Sequence, residues 1–381
     1  MFRFTLIITL LSFASCNKAP EPLTNCGDTQ GYCLECADEL GTSSSRGLLF
    51  SDNSLVLSGS ASKGAGSADQ GFILKYDFTT DLRWKESIDA EGDEDVYDFA
   101  EDDRYWYLAG GEQLRIDFFY GFVYRIEKTS FDITKEFFSG EGEAQFNAVL
   151  PTEDGFYAAG WSRGLGENRD LFLKKVSASG EELLEEYVGG SEVESAVDLV
   201  AVGNDLYVLG FTYSFGEGGR EYYLLKYTND ELVWAKTYGS PAYEEPQNII
   251  ATSDGNLLIA GHSTEFDADH DAHCLKLDLE GNVIWEKWIG GDQHDGCEGL
   301  LETGEGNYIF VARSESFSEK SAVYLFELNP NGDLLREKVI SSSDLVEAYD
   351  IVEGPFQYHL SGRKIVDGED RTMVLHLNKD F

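Results

Sequence analysis

Short apolar runs, alternating or clustered, are separated by turn signals along most of the chain. In one unit the four runs are 248–252, 256–260, 273–278 and 283–289. Turn sequences such as Asp254-Gly255 and Gly290-Gly291 stand among them. No stretch of useful length has an apolar stripe at helical period, so the pattern predicts four short β-strands per unit.

Three columns of residues keep step along the chain. The first is a small residue that ends a hydrophobic run: Gly59, Gly110, Gly160, Gly210, Gly261, Ala312 and Gly362. The second is a polar residue inside an alternating segment: Lys75, Arg125, Lys174, Lys226, Lys276, Glu327 and His376. The third holds large apolar residues at Trp84, Leu184, Trp234, Trp285 and Leu335, with Thr134 as an exception. Members of the first column are 50 or 51 positions apart, which indicates seven repeats.

Four antiparallel strands repeated seven times predict an all-β fold, a seven-bladed β-propeller. A blade is apolar on both faces and buries them only against its neighbours, which favours a closed ring. The seventh unit ends after its third strand, and residues 31–36, Gly-Tyr-Cys-Leu-Glu-Cys, stand in the place of a fourth strand. We therefore predict that this N-terminal strand completes the last blade and closes the ring.

The first residues have the pattern of an export signal. Met1-Phe2-Arg3 precedes an apolar run over 4–11, and small residues precede Cys16. This segment is too short to span a membrane and predicts a signal peptide. It resembles the bacterial lipoprotein signal, which implies lipidation of Cys16, whereas secretion without lipid is the alternative. The predicted organisation is a signal peptide over 1–15, a lipidated N-terminus and tether over 16–30, and the propeller over 31–381.

The charge of the chain is strongly acidic. There are 29 Lys and Arg against 70 Asp and Glu, a formal net charge of -41. A phosphate backbone is repelled by such a surface, so nucleic acid is excluded as a partner. The acidity favours a cation or a basic partner, or it is an adaptation of an exported protein to salty surroundings.

With Cys16 assigned to lipid, five cysteines remain: Cys26, Cys33, Cys36, Cys274 and Cys297. An odd number allows at most two disulfides, and their pairing stays open. Cys33 and Cys36 have redox-motif spacing, but on a strand their side chains point to opposite faces. The sequence therefore does not favour thiol redox chemistry.

Segments such as Tyr223-Leu224-Leu225-Lys226-Tyr227 and 285–291, Trp-Glu-Lys-Trp-Ile-Gly-Gly, carry a family resemblance. The repeats are similar to those of secreted Bacteroidota β-propeller lipoproteins and, more distantly, to quinoprotein-type propeller scaffolds. The resemblance implies an outer-membrane lipoprotein that faces the periplasm or the cell surface and contacts the membrane through its lipid. No vicinal cysteine pair or calcium and base constellation marks a quinone pocket, so the scaffold branch is the better analogy.

Carboxylate and amide side chains recur at the start of the first strand of six units, which lines the channel in propellers. These predicted channel residues are Asp98, Asn147, Asp198, Asn248, Glu298 and Asp350. Their oxygens would suit a calcium ion, or they satisfy backbone groups of an adjacent blade. The preceding connections would form an acidic collar on one rim from Glu94, Asp95, Glu143, Glu194, Glu244, Glu245, Asp295 and Glu347.

The fifth unit is rich in histidine. Its candidate zinc or calcium ligands are Asp267, Asp269, His270, Asp271, His273 and His294, with His262 nearby. Ala272 replaces the glycine that a calcium loop requires, so a solvated polar loop is the alternative. No other cofactor is predicted.

Residues 114–122 form an aromatic segment, with Phe118, Phe119, Tyr120 and Phe122, between two predicted strands. It is either a stacking platform for a sugar or peptide, or a hydrophobic cluster of strand residues. No nucleophile elbow, zinc-protease helix or phosphate loop is present, so no enzyme is predicted. The sequence predicts a binding or scaffold module for a protein or glycan, and the alternative is an exported polysaccharide hydrolase or lyase with carboxylates around the channel.

Overall fold

A computed structural model describes most of the chain downstream of the predicted tether. The described residues are 32–36, 42–51, 53–62, 69–77, 82–88, 92–115, 118–138, 142–164, 168–264, 270–342 and 344–381. The predicted signal peptide, Cys16 and the tether lie outside these ranges. Within them, no helix has the length and apolar character needed to cross a membrane.

The described residues form 28 strands in seven sheets of four. In chain order the strands are β1 (Tyr32–Cys36), β2 (Thr42–Ser51), β3 (Ser54–Ser62), β4 (Asp69–Asp77), β5 (Leu82–Ser87), β6 (Asp93–Glu101), β7 (Tyr105–Arg115), β8 (Phe118–Glu127), β9 (Ile133–Phe138), β10 (Ala144–Thr152), β11 (Gly155–Ser162), β12 (Asp170–Ser177), β13 (Glu182–Val188), β14 (Glu194–Val202), β15 (Asp205–Thr212), β16 (Glu221–Thr228), β17 (Glu231–Tyr238), β18 (Glu244–Ala251), β19 (Leu257–Ser263), β20 (Asp271–Leu277), β21 (Val283–Ile289), β22 (Asp295–Glu302), β23 (Tyr308–Ser314), β24 (Ala322–Leu328), β25 (Leu334–Ile340), β26 (Val346–Glu353), β27 (Gln357–Val366) and β28 (Glu369–Asn378).

Blades one to six each consist of four consecutive strands, starting with β2–β5. The seventh blade has the order β26-β27-β28-β1, and Tyr32 pairs with Leu377 while Cys36 pairs with Met373. The first strands of successive blades lie against one another around a closed circle and line the channel. The predicted seven-bladed propeller and its N-terminal closing strand are therefore confirmed.

The two ends of the ring are built differently. In the fourth blade, Glu194 at the start of β14 pairs with Thr212 at the end of β15. The long connections after the second and fourth strands therefore share one end, which we call the loop face. The short turns at 203–204 and 229–230 lie at the opposite end, the turn face. The third strand of each blade ends at the turn face, and Tyr32 pairs with Leu377 near the end of β28, the third strand of the seventh blade. Strand β1 therefore begins at the turn face.

The core lies between blades. Seven clusters of buried apolar residues each combine two neighbouring blades, one for each interface of the ring. At the closure, Leu57 and Phe72 of the first blade belong to a cluster that Val352 and Val374 of the seventh blade contact. Burial of apolar area is the main favourable term in folding, so the closed ring is the state that buries every blade face.

The second column of the repeat joins blades at the turn face. Arg125 donates to Ala178 O at 2.9 Å, Lys226 to Leu279 O at 3.2 Å, and Lys276 to Pro330 O at 3.1 Å, each in the following blade. At these contacts a side-chain donor takes the place of water on a backbone carbonyl group. In these three blades the cation therefore satisfies a backbone group of the neighbouring blade. In the third blade Lys174 instead pairs with Glu182 and Glu185 of its own blade, and Lys175 contacts Asp230 of the fourth blade.

Candidate functional site

Every channel-lining strand carries one extra residue in a β-bulge near the loop face. The seven bulge residues, which we call the mouth residues, are Arg46, Tyr97, Asn147, Val197, Gln247, Glu298 and Tyr349. A bulge leaves its extra residue unpaired in the ladder and redirects the side chain. The mouth residues therefore surround the loop-face end of the channel.

The six predicted channel residues occupy two levels of the channel. Asn147 and Glu298 are mouth residues, whereas four others directly follow a bulge: Asp98, Asp198, Asn248 and Asp350. A one-residue insertion changes which side chain faces the channel, and the alternating sequence pattern does not reveal it. The six residues therefore do not form a ring at one height.

The three aspartates after a bulge bind backbone N–H groups of two blades. One oxygen accepts from the next residue, Phe99, Leu199 or Ile351, each at 2.7 Å. The other oxygen accepts from the following blade: Val149 N bonds Asp98 at 2.7 Å, Ile249 N bonds Asp198 at 2.7 Å, and Leu48 N bonds Asp350 at 2.8 Å. This arrangement agrees with the alternative in which channel side chains satisfy an adjacent blade.

Burial raises the pKa of all three aspartates, to about 6 for Asp98, about 8 for Asp198 and about 7 for Asp350. The proximity of Asp98 and Asp350 raises the pKa of Asp198 further. A raised pKa favours the protonated carboxyl group, which is a weaker ligand for a hard cation than the carboxylate. Both oxygens of each aspartate are also already engaged, so these residues are connectors between blades.

The predicted acidic collar is wrong, because six of its eight members are buried: Glu94, Glu143, Glu194, Glu244, Asp295 and Glu347. Their carboxylates bind groups of their own blade or of the preceding blade and connection. Glu194 accepts from Gly190 N at 2.9 Å and Thr212 Oγ1 at 2.7 Å, and Asp295 accepts from Gly291 N at 2.6 Å. These acids cap the connections before the channel strands instead of forming a charged rim.

The predicted aromatic loop is part of a long hairpin. Phe118, Phe119, Tyr120 and Phe122 lie on β8, and Phe119 pairs with Gln113 of β7. Phe122 is buried, and its ring centroid lies 4.9 Å from that of Tyr124. The alternative of strand residues is therefore correct, and a loop platform is wrong.

Polar and aromatic groups meet around the mouth. The exposed Arg46 guanidinium lies 4.3 Å from the ring centroid of Tyr349, whose hydroxyl donates to Glu347 at 2.8 Å. The Tyr97 hydroxyl donates to Asp95 at 3.4 Å. Burial raises the pKa of Glu298, and nearby His262 and Arg46 oppose that shift. Arg46, Tyr97, Gln247 and Tyr349 were not singled out from the sequence. Aligning the repeats on their first column places Arg46, Tyr97 and Tyr349 together, but it puts Gln247 one position out of register.

The candidate metal ligands of the fifth unit separate in the structure. Asp267 and Asp269 lie outside the described residues. His273 Nε2 lies 2.8 Å from Glu286, and its ring stacks on Trp288 at 4.9 Å, so it faces a different environment from the other histidines. His270 and His294 instead meet His262. Among the described residues, no three His, Cys, Asp or Glu side chains have donor atoms placed for one ion.

The structure describes the side chains of two of the five remaining cysteines. Cys274 and Cys297 are free thiols buried in the core between the fifth and sixth blades. Burial raises the pKa of both thiols, which keeps them protonated and unreactive.

The fold and the channel define the chain as a β-propeller, and comparisons agree at that level. No family model and no curated protein matches the sequence. A periplasmic gluconolactonase from Pseudomonas aeruginosa is similar in structure, with a TM-score of 0.55, 13% identity, and coverage of 85% of this chain and 95% of that chain.

Two other similar structures have unrelated descriptions. Hydrazine synthase from Kuenenia stuttgartiensis has a TM-score of 0.58, 10% identity, and coverage of 83% of this chain and 92% of that chain. The Pan2 WD40 domain of Neurospora crassa has a TM-score of 0.55, 12% identity, and coverage of 92% and 96%. At this identity the likeness establishes the propeller fold alone, because one fold hosts many functions.

Proposed function

We propose that the chain is a lipid-anchored, extracytoplasmic propeller of the Bacteroidota lipoprotein kind that binds a glycan at the channel mouth. The observation that carries this proposal is the chemistry of the mouth residues. Seven structurally equivalent positions hold six residue types, including a cation, a carboxylate, two amides and two tyrosines. In a repeat protein, equivalent positions whose chemistry varies mark a recognition surface.

The composition of the mouth favours a saccharide over a protein surface. Gln247 and Glu298 offer an amide and a carboxylate group, and the rings of Tyr97 and Tyr349 supply apolar faces with polar tips. The Asn147 amide does not contribute, because it donates to Ser195 Oγ at 3.1 Å and to Ala196 O at 2.7 Å in the next blade. Such groups, gathered at one end of a concave channel, suit a small polyhydroxylated ligand. The acidic collar no longer supports a basic protein partner, because its carboxylates are buried.

The start of β1 gives the point at which a lipid anchor would attach to this module. Tyr32 begins β1 at the turn face, and 16 positions separate it from Cys16. At roughly 3.3 Å per residue, that length of chain reaches at most about 55 Å. A lipid on Cys16 would therefore attach the domain to the bilayer from its turn face, at a distance of up to that length.

The anchor is tested by the substitution Cys16→Ala in the full chain expressed in a Gram-negative host. Wild type is expected in the membrane fraction with a diacylglyceryl mass on its first mature residue. The variant should lack that mass and move to the soluble exported fraction, because the acceptor thiol is gone. Equal membrane association of both proteins would contradict the anchor without affecting the mouth.

Glycan binding is tested with purified 31–381 on a panel of envelope, marine and plant polysaccharides, followed by calorimetry on any binder. Replacing both Tyr97 and Tyr349 by alanine should weaken binding at least about tenfold, because two stacking faces are lost. Tyr187→Ala is the matched control, since Tyr187 is an exposed tyrosine on the outer strand β13.

Three outcomes contradict the glycan proposal. Binding that is unchanged in the double variant removes the mouth from recognition. A protein captured from envelope extract through Arg46, with no glycan bound, assigns the mouth to a protein. Release of oligosaccharide products favours the hydrolase or lyase alternative, for which Asp198 and Asp350 are poorly suited because backbone groups occupy both oxygens.

A further inference from the structure

Three histidines meet at the loop face where the fifth and sixth blades adjoin. His262 lies on β19, His270 directly precedes β20, and His294 directly precedes β22. The ring centroids are 4.9 Å apart for His262 and His270, 4.7 Å for His270 and His294, and 5.8 Å for His262 and His294. Residues 32 positions apart in sequence thus form one compact imidazole cluster.

The spacing of the rings matches that of a metal site. A tetrahedral zinc ion lies about 2.0–2.1 Å from each imidazole nitrogen, which puts the centroids of its three rings about 5 Å apart. Gly296 leaves room beside two of the rings. A Cβ atom at this position would lie 3.2 Å from His294 Nε2 and 3.3 Å from His262 Nδ1, so both nitrogens border the space that the glycine leaves empty.

His262 supplies an independent indication of a ligand. Its side chain is only 9% exposed, and Nδ1 has no hydrogen-bond partner among the described residues. A buried polar atom without a partner is costly, so such an atom calls for an explanation. The other ring nitrogen, Nε2, lies 3.4 Å from Glu245 Oε2. A carboxylate on the far nitrogen is the usual outer partner of a metal-binding histidine.

We infer that His262, His270 and His294 bind a borderline-soft transition-metal ion such as Zn²⁺, with Glu245 orienting His262. Three imidazoles select zinc, copper or nickel over calcium and leave a fourth position for water or a ligand oxygen. The donor atoms are not placed for one ion in the structure, so binding requires the rings to turn about their side-chain bonds. This proposed metal site does not depend on glycan binding at the mouth. His273 is not one of its ligands.

The test is calorimetric titration of tag-free 31–381 with Zn²⁺ in the presence of excess Ca²⁺, which occupies surface carboxylates but not imidazoles. Wild type should bind one equivalent of Zn²⁺, and bound Co²⁺ should show the intense visible absorption of a four-coordinate site. His262→Gln and His294→Gln should each weaken Zn²⁺ binding by at least about 100-fold. Glu245→Gln should weaken it by about 10–100-fold, the range for outer partners.

His273→Gln is the matched control, because this histidine belongs to the same blade but binds Glu286. It should retain one equivalent of Zn²⁺ at wild-type affinity. Circular dichroism establishes that each variant is folded, and the half-buried His294 provides a milder change should His262→Gln unfold. Absence of stoichiometric Zn²⁺ binding by wild type, or equal losses in His273→Gln and His294→Gln, would overturn the inference.

Discussion

A chain that begins at residue 42 is expected to unfold at a markedly lower urea concentration than one that begins at residue 31. β1 pairs with β28 at five consecutive positions and forms the outer strand of the seventh blade. At about 1 kcal/mol net for each backbone hydrogen bond, its removal should lower the free energy of unfolding by about 3–5 kcal/mol. The newly exposed edge of β28 should also promote aggregation.

The comparison requires both chains without lipid, with unfolding followed by tryptophan fluorescence and association followed by light scattering. A peptide of residues 31–41 added to the shortened chain should restore stability as its concentration rises, because binding to the folded state stabilises it by mass action. If the two chains unfold at the same urea concentration and the peptide has no effect, ring closure by β1 contributes nothing to stability.

The ring closure was predictable because it depends on repetition. Seven copies of the first column, from Gly59 to Gly362, give the blade number, and the missing last strand of the seventh unit points to the segment around Cys33. Both properties follow from apolar blade faces that must be covered. The order of the strands around the ring could therefore be predicted from the repeats without any knowledge of side-chain contacts.

The site was not predictable at the same level, because it depends on single-residue shifts and on local capping. The bulge moves Asn147 and Glu298 to a different level from Asp98 and Asp198. Glu194 reads as a solvated loop acid in the sequence, yet folding brings it onto the amide of Gly190. The sequence shows that a carboxylate is present at this position. Its partner, a backbone N–H, is known only from the structure of the turn.

The exception in the second column shows how a repeat tolerates a reversal of charge. Glu327 stands in the sixth blade where the preceding three blades have lysine. Arg336, on the neighbouring strand β25, pairs with Glu327 and donates to Lys379 O of the seventh blade at 2.7 Å. The contact between blades is retained although the cation comes from another strand, so this column records a backbone requirement and not a ligand site.

Among the described cationic side chains that donate to a backbone carbonyl of the next blade, such as Arg125, Lys226 and Arg336, Lys276 is the most deeply buried. Its side chain is 2% exposed, and Nζ donates to Asp254 at 2.6 Å, to the Tyr308 hydroxyl at 2.9 Å and to Pro330 O at 3.1 Å. The last two acceptors belong to the sixth blade. Asp254 is 40% exposed and regains water readily, and Pro330 O also accepts from Trp285 Nε1 at 3.0 Å, so the loss on removing the ammonium group falls mainly on Tyr308.

The substitution Lys276→Met keeps the aliphatic stem and removes the three donors, and it should lower the free energy of unfolding by about 2–3 kcal/mol. That value is below the full cost of breaking a buried ion pair, because one partner is half exposed. Lys320→Met on the exposed loop of the sixth blade should change stability by less than about 0.5 kcal/mol. Urea unfolding of both variants measures the difference. Equal stabilities would mean that the Tyr308 hydroxyl does not need the Lys276 donor, and that apolar packing and the bond from Trp285 Nε1 to Pro330 O hold the fifth blade against the sixth.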